Sequence, residues 1–219
     1  GLGGNIRLQA GDGAGATGGS VFLKTGAGEK SSSGAFKVLT ANSGLNGVSG
    51  AISLRTGTSA RGTTGSIAIS TGDSNSGAGG NFTVKVGTGN SGNGGSIVLA
   101  AGGSTAARRS GGAINITAGS GTNSNFGSGG NITLVAGRGY GNVGGNIDIQ
   151  SGNGTYTTSG SASIATADSG GAGASGVLIF KTGTSSCGAS GSISISTGRA
   201  TGGKGGSISI AVGEGASGM

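Results

Sequence analysis

Large apolar residues fall at a fixed place in a short phrase that recurs along the whole chain. Counting the glycine that opens each phrase as slot 0, the phrase starts at Gly4, Gly19, Gly34, Gly50, Gly65, Gly80, Gly95, Gly112, Gly130, Gly145, Gly160, Gly176, Gly191 and Gly206. Most intervals are 15 residues, and the longest are 17 and 18, after Gly95 and Gly112. Slots 2 and 4 hold Ile, Leu, Val or Phe in 27 of 28 cases, from Ile6 and Leu8 to Ile208 and Ile210; Ala162 is the exception. Slot 6 is small throughout, as in Ala10, Thr25 and Thr56, and slot 7 is Gly except at Ala41 and Ala167. Slots 2, 4 and 6 share parity, so an extended chain puts them on one face and slots 3 and 5 on the other. The two-residue period predicts a short, half-buried strand in each phrase. It excludes a helix, whose interior each glycine would destabilise by about 1 kcal/mol.

A lone strand cannot bury its apolar face, and a fixed period of this length marks stacked units. The pattern therefore predicts an all-β protein: one parallel β-solenoid, or β-helix, of 14 coils spanning residues 1–219 as a single domain. Between phrases run returns such as Gly72 to Gly79, with almost nothing larger than Asn. A return that long argues against an up-and-down antiparallel sheet, whose turns need only two to five residues. The chain has no proline, which fits strands that must donate every backbone N–H to a neighbour.

Composition pulls the other way. Glycine supplies 58 of 219 residues, and Ile, Leu, Val and Phe together 40, a balance that by itself points to a low-complexity or disordered chain. The confinement of those 40 residues mostly to two columns is what favours order.

The phrases GGAINITAG (Gly111 to Gly119), GGNITLVAG (Gly129 to Gly137) and GGNIDIQSG (Gly144 to Gly152) resemble the coils of Gly-rich β-helical surface adhesins of the filamentous haemagglutinin type. The resemblance implies a secreted, elongated protein of a cell surface or matrix. It carries no functional residue onto this chain.

Chemistry is sparse. There is no His, and the six acids (Asp12, Glu29, Asp73, Asp148, Asp168, Glu214) fall in different repeats, so no base stands beside a partner for acid–base or nucleophilic work and an enzyme is not expected. Gly13, Gly15 and Gly18 match a dinucleotide-binding spacing, yet no helix follows and the glycine content makes such matches accidental. Most turns lack the Asp that calcium-binding β-rolls need, so neither a metal nor a cofactor is expected. Cys187 stands alone, which excludes an internal disulfide. Asn81, Asn115, Asn131 and Asn153 head glycosylation sequons, about as many as chance supplies.

The net charge of +7 is spread over most repeats, which serves solubility; without a basic stripe and stacking aromatics, nucleic acid is not an expected partner. The longest apolar run, Val177 to Phe180, is far short of the roughly 20 residues of a membrane span, and no leader is visible, so a soluble chain is expected.

Two returns are lengthened, the seventh and eighth, and they carry Arg108, Arg109, Asn125 and Phe126. The next two carry Arg138, Tyr140 and Tyr156. In a solenoid these residues stack on one side over four coils, and such a set suits a polysaccharide or another anionic polymer. The leading expectation for function is a structural extracellular protein: a filament, matrix or adhesive rod in which uncapped end coils stack head to tail with other copies. Lateral contacts through Phe22, Leu39, Val98, Val135 and Ile179 would add to it. The alternatives are an ice-binding solenoid, whose matching outward columns slot 3 does not supply, and a carbohydrate- or mineral-binding surface protein.

Overall fold

Ile67 and Ile69 test the solenoid directly, because its only interior is the pair of columns they belong to. In the computed structural model, which describes residues 3–123, 125–171 and 173–215, Ile67 is 55% exposed and Ile69 64%. All 27 large apolar residues of slots 2 and 4 are exposed in the same way. Among the described residues there is no strand, no helix and no buried side chain. The expected all-β fold, a parallel β-solenoid or β-helix of 14 coils, is therefore wrong, and the described chain is irregular coil with turns and bends.

The physical reason lies in what parity leaves unsaid. Alternation puts Ile67 and Ile69 on one side of the phrase, but a cover must come from a neighbouring strand about 4.8 Å away. Two large apolar side chains per repeat are also few to offset the ordering of the remainder, which is rich in the residue that loses most backbone freedom on folding.

What local order exists is in the returns, and its unit is the junction of slot 7 with the next slot 0. Gly19 N–H donates to Gly11 O at 2.9 Å, and the equivalent bond joins Gly34 to Gly26 (3.0 Å), Gly130 to Gly119 (2.8 Å), Gly145 to Gly137 (2.9 Å) and Gly160 to Gly152 (2.9 Å). These five returns are closed loops with adjacent ends, of the kind that pack on their own backbone. The slot-6 residues before them, Ala10, Thr25, Ala118, Ala136 and Ser151, are half-buried; Gly139 and Gly154 are the only other described residues that share this degree of cover.

One position is shared by all the closed returns. All five carry glycine at slot 9: Gly13, Gly28, Gly121, Gly139 and Gly154. At Gly139 the chain folds back so tightly that a Cβ would overlap the carbonyl oxygens of Asn142 and Val143, and at Gly13 it would overlap those of Ala16 and Thr17. Only a residue without a side chain fits. In two returns where slot 9 is serine, its hydroxyl caps a local turn instead. Ser59 Oγ accepts from Gly62 N–H at 3.0 Å, and Ser185 Oγ from Gly188 N–H at 3.1 Å. The two returns that open on alanine, after Ala41 and Ala167, make a glycine-to-glycine turn, Gly47 N–H to Gly44 O (3.3 Å) and Gly173 N–H to Gly170 O (3.2 Å). Gly87-Thr88-Gly89 has the closing glycine without the closing bond; there Val86 fills slot 6, and its Cγ1 lies 2.7 Å from the place of a Cβ on Gly95.

By internal contacts the chain divides into two units, Gly1–Gly102 and Gly103–Met219. The first contains phrases 1 to 7 and the first two closed returns. The second contains phrases 8 to 14, the lengthened seventh return apart from its first residue, and three closed returns in succession.

Candidate functional site

Every residue singled out for binding lies in the second unit, in returns 7 to 10. Absence of a solenoid removes the reason for them to stack on one side, so each return is described as it stands. Arg108 and Arg109 occupy return 7, Asn125 and Phe126 return 8, Arg138 and Tyr140 return 9, and Tyr156 return 10; all are exposed.

Both lengthened returns turn at a residue with a side chain in the left-handed region. Arg108 has φ 60° and Phe126 φ 66°, the only non-glycine residues with positive φ among those described. The cost of that conformation is roughly 1–2 kcal/mol per residue, and at the other two described positions of positive φ the chain has glycine, Gly15 and Gly92. In return 8 a neighbour holds the turn in place. Asn123 Oδ1 accepts from Asn125 N–H at 2.8 Å, and Asn123 O accepts from Gly127 N–H at 3.1 Å, leaving the Phe126 ring at the apex in water. Phe126→Gly is expected to relieve about 1 kcal/mol of backbone cost, so that amide exchange at Gly127 slows about fivefold by NMR. Unchanged exchange would mean the turn is not strained.

Return 9 brings two of the expected residues into contact. The Arg138 guanidinium carbon stands 5.1 Å from the centroid of the Tyr140 ring, an arrangement worth about 0.5–1 kcal/mol at an exposed site. The two side chains flank Gly139, whose close approach to the backbone of Asn142 and Val143 sets the bend that lets them meet. Asn142 Oδ1 accepts from Val143 N–H at 2.8 Å on the other side of the loop. In return 10 the half-buried Gly154 plays the part of Gly139, and Tyr156 projects from the bend that follows.

Asn123, Asn142 and the slot-9 glycines shape these returns, and the reading of the sequence passed over them. Their signal was present as a contrast of Gly with Ser at one slot. Asn81, Asn115, Asn131 and Asn153 are exposed, as is the Cys187 thiol. Among the described residues there is no pocket, no cluster of three or more His, Cys, Asp or Glu, and no helix long and apolar enough to cross a membrane. The surface on offer is thus open: arginines and aromatic rings presented on glycine loops. No protein-family model matches the chain, and neither a curated protein nor a solved structure matches it.

Proposed function

We propose that this chain is a structural repeat protein of an extracellular filament, matrix or adhesive coat, and that it acts by associating with further copies of itself. The observation that carries this reading is the exposure of every large apolar residue in slots 2 and 4, from 47% at Leu178 to 102% at Ile6. Large apolar side chains left in water at so regular an interval point to a contact still to be made. A second copy is the natural partner because it presents the same pairs at the same 15-residue interval, so one pairing in register brings the next pair to high effective concentration. End-to-end stacking of coils has no coils to use, and side-by-side pairing of phrases takes its place. The extracellular setting follows from the resemblance of the Gly-rich phrases to surface adhesins.

Sedimentation across a dilution series tests the proposal. Association is expected to strengthen with salt, since screening weakens repulsion between chains of net charge +7 while leaving apolar contact intact. A chain that stays monomeric at millimolar concentration in high salt would sink it.

A second reading, binding of a polysaccharide or other anionic polymer by returns 7 to 10, is favoured by Arg108 and Phe126. Both hold a costly backbone conformation where glycine would serve the turn alone. The two readings are compatible.

A further inference from the structure

We infer that Arg108-Arg109 is a proteolytic processing site, cut by an endoprotease whose acidic specificity pockets take two consecutive basic side chains. Lysines and arginines are otherwise scattered singly along the chain, and these two are the one adjacent pair. They lie in the first of the two lengthened returns, and both are exposed. The bond found in that return is weak, Ala106 N–H to Ser104 Oγ at 3.4 Å. An endoprotease needs its substrate drawn out over several residues, which an open return permits at little cost and a closed one resists. Arg108 contributes a second push, because extension releases it from φ 60°.

The pair falls in the opening stretch of the unit Gly103–Met219 and after the seventh of the 14 phrases. Hydrolysis of the Arg109–Ser110 bond therefore separates the phrase at Gly95 from the phrase at Gly112. Water adds to the Arg109 carbonyl carbon and the C–N bond breaks. Arg109 departs as a carboxylate, and the Ser110 nitrogen takes up the proton as a new amino terminus. The inference stands apart from self-association, since it needs only access to one return.

The test is a time course on the full chain with two enzymes, the products being weighed by mass spectrometry. One enzyme requires paired basic residues; the other, trypsin, accepts any Lys or Arg. The first is expected to yield residues 1–109 and 110–219 alone, with Arg108→Ala slowing it more than about tenfold and Arg109→Lys still cut. Trypsin has 13 sites to choose from. It is expected to cut in return 7 about tenfold sooner than after Arg138 in its closed return, and sooner than after Arg61 in its capped turn. The proposal is overturned if the paired-basic enzyme spares the chain while cleaving a free peptide of residues 104–112. Attack by trypsin on Arg138 or Arg61 as fast as on return 7 would overturn it too.

Discussion

Replacing Ile67, Ile69, Ile97 and Leu99 together by Asn is expected to weaken self-association about a thousandfold. In the chain alone these side chains are 55%, 64%, 55% and 73% exposed, so more than half of each is still to be covered. Full burial of an Ile or Leu side chain is worth about 1.5–3 kcal/mol, which leaves about 1 kcal/mol each for a partner to supply. Four of them give about 4 kcal/mol, or three factors of ten in the dissociation constant. The effect is read cleanly, because none of the four is buried within its own chain and no core is lost with them. Ser66, Ser70 and Ser96 changed to Asn make the matched control, altering polar positions in the same two phrases without touching the apolar pairs. Sedimentation equilibrium on the two variants measures the difference. Equal dissociation constants would show that association, if it occurs, does not run through slots 2 and 4.

That experiment also bears on how far the chain can be read from its letters. The repeat itself was legible: slot 2 over slot 4 parity, the small residue at slot 6 and the glycine at slot 7 are all periodic in the sequence, and the structure gives slot 6 a job against the next slot-0 glycine. The solenoid was not legible, because periodicity at Ile67 and Ile69 says that one face is apolar and is silent on which molecule covers it. Composition held the better clue. With 40 strongly apolar residues among 219, a chain gains little from closing on itself, and the low-complexity reading of that balance stands closer to the irregular coil observed.

The candidate site divides in a similar way. Lengthened returns pointed to Arg108 and Phe126, and both prove to be the turn residues with left-handed backbone. The stacking of returns 7 to 10 into one patch depended on the solenoid and went with it. The contact of Arg138 with Tyr140 needs only the local sequence Gly137-Arg138-Gly139-Tyr140-Gly141, in which the central glycine forces the bend. Local chemistry was readable where the cause was local. Tertiary placement was not, since its cause was an assumed neighbour.

A two-way exchange at slot 9 is expected to open one return and close another. In Gly139→Ala the new methyl overlaps the carbonyl oxygens of Asn142 and Val143, which are backbone and cannot swing aside. The bond that closes the return, Gly145 N–H to Gly137 O, contributes about 1 kcal/mol net, less than such an overlap costs, so the loop gives way. Exchange protection at the Gly145 amide should disappear, and the Tyr140 ring signals should lose the influence of the Arg138 guanidinium 5.1 Å away. Ser59→Gly is the converse. It removes the hydroxyl that caps Gly62 N–H at 3.0 Å and recreates the Gly-x-Gly opening of the closed returns, so Gly65 N–H should bond to Gly57 O and exchange about fivefold more slowly. Thr56 has the small side chain that closure requires, as Thr25 does before a return that is closed. NMR exchange on the two single variants decides the matter. Full protection at Gly145 in the alanine variant would mean that slot 9 merely accompanies closure, and the difference between returns would have to be sought in the residues at slots 10 to 14.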